Sequence, residues 1–104
     1  MLTFVELPPF AAVRDKYLDD DEFGEFQRYL VDHPDAGDVI PGSGGCRKVR
    51  WSVEGRGKRG GIRVVYFLRV GLGQIVLVTL YAKNVLDNID PVVLKRLKEA
   101  YQHG

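Results

Sequence analysis

The sequence predicts a single α+β domain with the element order β-α-α-β-β-β-α. Three observations carry that expectation. The chain has 104 residues, enough for one hydrophobic core and too few for two. Its N-terminal third shows apolar residues at helical spacing, and its middle shows three β-branched, aromatic-rich runs. The links between those runs pass through Gly55–Gly61 and Gly71-Leu72-Gly73. Links so short and so rich in glycine join antiparallel neighbours, because a parallel crossover takes a dozen or more residues.

Leu2 to Leu7 reads as a first strand, ended by Pro8-Pro9, a pair suited to a first helical turn. Phe10, Val13, Tyr17 and Leu18 then recur at helical spacing. The acid run Asp19-Asp20-Asp21-Glu22 supplies N-cap candidates and negative charge where a helix dipole favours it. Phe23, Phe26, Tyr29 and Leu30 form the apolar stripe of that helix, and His33-Pro34 ends it. Residues 35–45 read as a Gly- and Pro-rich loop. The three strand-like runs follow at Arg47 to Val53, Ile62 to Val70 and Gln74 to Lys83. Asp90-Pro91 opens a last helix as N-cap and first residue, with Val93, Leu94, Leu97 and Tyr101 as its stripe.

A net charge of +1 conceals a strong asymmetry. Residues 1–45 hold ten acids and three bases, a balance of −7. Residues 46–69 hold eight bases (Arg47, Lys48, Arg50, Arg56, Lys58, Arg59, Arg63 and Arg69) against Glu54, a balance of +7. A block of that kind within one small domain points to a polyanion, most often nucleic acid. Cys46 is the only cysteine, so no internal disulfide or cysteine-based metal cluster is expected. With no membrane-length apolar run and no secretory signal pattern, the expected compartment is the cytoplasm, without a membrane partner.

The stretch Gly55-Arg56-Gly57-Lys58-Arg59-Gly60-Gly61 fits G-x-G-x-x-G, the dinucleotide fingerprint. That fingerprint must open a helix, whose N-terminus holds the pyrophosphate. Here Ile62-Arg63-Val64-Val65-Tyr66-Phe67 follows, a strand pattern, so no nucleotide cofactor is expected. Two readings stay open for the hairpin: a loop kept soluble by its charges, or a tip that grips a phosphate backbone.

Alternation along the strands separates two faces. Ile62, Val64, Tyr66 and Leu68, with Val49, Trp51 and Val53 and with Val76, Val78, Leu80 and Ala82, make up the expected core rows. The remaining rows are Lys48, Arg50 and Ser52; Arg63, Val65 and Phe67; and Thr79, Tyr81 and Lys83. Packed together they place Lys48, Arg50, Arg63, Lys83 and the Tyr81 phenol on one surface. A basic solvated sheet face is one account of it. The other is a surface for single-stranded RNA, with cations for phosphates and a ring for base stacking. The position of Arg63 and Lys83 in or at the end of apolar runs favours the second.

Three segments, "HPDAGDVIPGSGGCRKVRW", "GKRGGIRVVYF" and "LYAKN", resemble the RelE/HigB-like toxins of bacterial type II toxin–antitoxin systems. The matching runs span about residues 23 to 84. The resemblance implies a small antiparallel sheet of about four strands, two N-terminal helices packed on one face, and a C-terminal helix, all within one domain over residues 1–104. It implies an endoribonuclease that cuts mRNA in the ribosomal A site, and a neighbouring antitoxin, here expected to be a helix-turn-helix protein. The matching site positions are Arg63 and Lys83 with Tyr81 close by, and Lys58 and Arg59 in the basic hairpin. Arg47, Lys48, Arg50 and Arg56 join Arg59 as expected RNA contacts. Arg63 is placed to clamp the scissile phosphate, Lys83 or Lys58 to take a proton, and Tyr81 to stack on a base or relay a proton. This chemistry uses the RNA 2′-OH as nucleophile and needs no metal or cofactor. Some relatives carry a histidine in the site. This chain has His33, read as a helix end, and His103, read as a tail residue. A catalytically silent RNA- or ribosome-binding module is the alternative.

Overall fold

A computed structural model describes residues 2–52, 61–83 and 89–103. The architecture is α+β. Its strands are β1 (Thr3–Glu6), β2 (Asp38–Val39), β3 (Arg47–Trp51), β4 (Ile62–Arg69) and β5 (Gln74–Ala82). Its helices are α1 (Pro8–Ala11), α2 (Arg14–Tyr17), α3 (Asp20–Asp32) and α4 (Pro91–His103), with one 3-10 turn at Val70–Leu72. The order across the sheet is β1-β5-β4-β3-β2.

The expected all-antiparallel sheet of about four strands is corrected in two respects. The sheet has five strands, because Asp38 and Val39, inside the expected loop, pair with Lys48 and Arg47. It is also mixed, because β1 runs parallel to β5, from Thr3 opposite Gln74 to Glu6 opposite Leu77. The three N-terminal helices carry the chain from β1 at one edge of the sheet to β2 at the other, and the strands that follow step back across it until β5 lies beside β1. The two hairpin pairs β3–β4 and β4–β5 are antiparallel, as the short links require.

The single helix expected after Pro8-Pro9 is two short pieces. Val13 leaves helical geometry at φ −123°, ψ −1°, and α2 then ends at Leu18 in extended backbone. That extended residue delivers Asp19 to the start of α3. There Asp19 Oδ1 accepts from the Glu22 amide at 2.8 Å, and Glu22 Oε1 accepts from the Asp19 amide at 2.9 Å. This reciprocal pair is a capping box, and it explains why the acid run is a helix start. Arg14 joins the pieces by donating to the Leu18 carbonyl at 3.2 Å and to Asp20 Oδ1 at 3.0 Å, with its guanidinium 4.9 Å from the Phe23 ring centroid.

The sheet buries both faces. One carries Val49, Ile62, Val64, Tyr66, Ile75, Leu77, Leu80 and Ala82 against Phe10, Leu18, Phe23, Phe26 and Leu30 of the N-terminal helices and their links. The half-buried Trp51 joins this core between the rings of Phe26 and Tyr29, each with its centroid 5.2 Å away. The other face carries Val65, Phe67, Val76 and Val78 with Leu94 of α4. Val76 and Val78 were expected in the first row and lie in the second. A bulge is the cause: Val65 is opposite Thr79 while Tyr66 is opposite Leu77, so one extra residue in β5 reverses its alternation.

Gly61 opens β4 with φ +69°, and a Cβ there would overlap the carbonyl oxygen of Trp51. The second glycine of the Gly-Gly pair is thus a requirement of strand pairing, not of phosphate binding. At the other end of the hairpin, the Tyr66 hydroxyl shares its proton between the carbonyls of Ala36 at 2.7 Å and Pro34 at 3.0 Å. Burial pushes this phenol up to about 12, with Arg47 opposing and Asp35 and Tyr29 adding to the rise. A phenol that ionises near 10 when unfolded therefore stabilises the fold below pH 10 and loses that contribution as pH rises toward 12. Tyr66→Phe is expected to cost about 1–2 kcal/mol at pH 7. In denaturant titrations the gap from the parent should narrow between pH 10 and 12. A gap that stays constant over that interval contradicts the assignment.

Candidate nucleic-acid interface

The register sets one polar row across three strands. Arg50 on β3 is directly opposite Arg63 on β4, and Arg63 is directly opposite Tyr81 on β5. With neighbouring strands about 4.8 Å apart, the row spans roughly 10 Å. Lys48 stands two residues from Arg50 on the same face, opposite Val65. Thus Lys48, Arg50, Arg63 and Tyr81 share one face, as alternation predicts.

That face is divided. Phe67, four residues along β4 from Arg63, meets the ring of Tyr101 at 6.2 Å and the Lys98 ammonium at 5.3 Å. The Tyr101 hydroxyl donates to Gln74 Oε1 at 3.0 Å, and Lys98 Nζ donates to the Gly44 carbonyl. Helix α4 therefore covers the end of the face nearest the β4–β5 turn and also grips the 40–46 loop. Within that loop Ser43 Oγ donates to the Ile40 carbonyl at 2.6 Å and accepts from the Cys46 amide at 3.0 Å. Cys46 is a buried free thiol, and burial pushes its ionisation up.

The row itself is graded in exposure. Arg50 is exposed, Lys48 is half-buried, and Arg63 is 9 % exposed. The Arg63 guanidinium donates toward the Ile62 carbonyl at 3.5 Å, the outer limit of a hydrogen bond. Two guanidinium-bearing residues directly across an antiparallel pair repel one another. Their placement side by side concentrates positive charge, which suits an anionic ligand. Tyr81 is 5 % exposed. Burial pushes its phenol up while the Arg63 charge pulls it down.

Three expectations change on this geometry. Arg47 lies on the other face of the sheet, where it donates to the carbonyls of Asp35 at 3.0 Å and Gly37 at 3.3 Å; it secures a loop beside Tyr66. The Tyr81 ring, being buried, has no free face for a base to stack on. Lys83 is exposed in the turn that follows β5, one residue beyond the last paired position. Arg56, Lys58 and Arg59 lie outside the described residues. His33 is at the C-cap of α3 with its ring 4.9 Å from Tyr29, and His103 is the exposed last residue of α4. Alternation exposed the row but not the burial of its middle and end. Hydrophobic neighbours on both sides of Arg63 and Tyr81 were the available signal for that burial.

Among the described residues no group of three or more His, Cys, Asp and Glu side chains is arranged to hold a metal ion. No described helix is long and apolar enough to cross a membrane. No protein-family model matches the chain.

Proposed function

We propose that the protein is the toxin of a toxin–antitoxin pair, a RelE/HigB-like endoribonuclease that cuts mRNA on the ribosome and so stops translation in the cytoplasm. The observation that supports this reading is the Arg50–Arg63–Tyr81 row beside Lys48 on one face of the sheet, open at Arg50 and buried toward Tyr81. Arg63 clamps the scissile phosphate and meets the charge that builds on it in the transition state. The RNA 2′-oxygen attacks phosphorus and the bond to the 5′-oxygen breaks. The 2′-OH proton passes to a base, for which Lys83 and Lys58 are the candidates, and a proton reaches the leaving 5′-oxygen. The products are a cyclic phosphate and a free 5′-OH, with no metal in the scheme. A helix-turn-helix antitoxin is the partner this reading implies.

Induced expression should arrest growth and leave discrete cuts in translated messages, mapped by primer extension. The positions of His33 and His103, at the ends of α3 and α4, favour a second reading, an RNA- or ribosome-binding module without catalysis. A purified protein that binds ribosomes and never cuts supports the module; one that leaves both RNA and translation untouched defeats both readings.

A further inference from the structure

Tyr81 differs from the rest of its row. Its hydroxyl is buried and has no hydrogen-bond partner among the described residues. Its surroundings are apolar, with Val65, Val78 and Leu94 in the same cluster. Phenylalanine would fill that site equally well without burying an unsatisfied hydroxyl, which destabilises a fold. An orphaned polar atom on the residue directly opposite Arg63 asks for a function. Stacking is excluded by the buried ring. Service as a base is disfavoured, because burial holds the proton on the phenol against the pull of Arg63. What remains is an O–H donor in an apolar setting within the field of one cation, Arg63, and the acceptor that a cation draws in is an anionic oxygen.

We propose that the Tyr81 hydroxyl is a substrate-binding donor to a non-bridging oxygen of an RNA phosphodiester held by Arg50 and Arg63. The proposal rests on the RNA reading above and adds to it the recognition role of this residue. Because the hydroxyl is covered, the side chains over it part as the phosphate seats. The hydroxyl is therefore a cost in the free protein that is recovered in the complex.

The test is Tyr81→Phe in the full chain, read out twice. Thermal unfolding should give a midpoint equal to or above the parent's. Binding of a short 2′-O-methyl RNA, which lacks the nucleophile and cannot be cut, should weaken roughly tenfold to hundredfold, the range for a hydrogen bond to a charged acceptor. With an uncharged methylphosphonate version of the same oligomer, the difference between parent and variant should nearly vanish. A lower unfolding midpoint would show that the hydroxyl is satisfied within the fold, and the proposal fails. Unchanged RNA affinity, or an equal loss with the methylphosphonate, also overturns it. A parent that binds the 2′-O-methyl RNA through Tyr81 but never cuts natural mRNA sustains this proposal and sinks the nuclease reading alone.

Discussion

Arg63→Ala is expected to lower cleavage of translated mRNA by about 10²–10³-fold, the usual loss when one preorganised donor to a developing oxyanion is removed. The expectation follows from position. Arg63 sits in the middle of the row, 9 % exposed, where its charge is less screened than that of Arg50 at the rim. Arg63→Lys keeps the charge but loses the planar fork, and should recover only a small part of the rate. Primer extension on message in a purified translation system, at matched concentrations of folded protein, measures both. Stability is the internal control. Thermal unfolding of each variant, measured alongside cleavage, separates lost chemistry from lost fold. A variant that remains folded and cuts within threefold of the parent would remove Arg63 from the chemistry.

Elements whose signals are local were legible in the sequence. The capping box at Asp19 and Glu22 and the stripe of Phe23, Phe26 and Leu30 each follow from residues within one turn of each other. The Asp90 side chain accepts from the Val92 amide at 2.9 Å, as an N-terminal Asp-Pro pair predicts. What was not legible depends on distant partners or on single insertions. Nothing in Thr3–Glu6 announces a parallel neighbour some seventy residues on. The bulge at Val78 lies within Val76-Leu77-Val78-Thr79-Leu80, where every residue suits a strand, so composition cannot say which one is extra. The stripe of α4 shows that the helix is amphipathic but not which sheet face it covers. That choice decided how much of the basic face stays open. The site was legible to the same degree: alternation grouped Lys48, Arg50, Arg63 and Tyr81, while the packing that closes over the Tyr81 ring is tertiary.

Phe26→Ala should be the most destabilising substitution in the domain's larger core, by about 3–5 kcal/mol. Phe26 is fully buried on the inner face of α3, edge-on to Trp51 with the ring planes at 74°. Truncation removes the burial of a whole ring and also the ring-on-ring contact, itself worth about 0.5–1.5 kcal/mol. The space left behind is bounded by helix and sheet, so it collapses poorly. Small domains have only about 5–15 kcal/mol of net stability, so the variant should melt far below the parent. Phe26→Leu, which refills most of the volume, should lose much less. Denaturant titration of the three proteins measures the ordering, and equal midpoints for Ala and parent would mean that α3 does not rest on β3 through this residue. The consequence reaches the opposite face through β3 itself: Trp51, which Phe26 supports, is the chain neighbour of Arg50, which heads the polar row. Loosening the helix face of that strand therefore disorders the end of the strand that carries Arg50. RNA affinity in Phe26→Ala should fall more steeply on warming than in the parent, and should approach it in the cold, where the fold is intact.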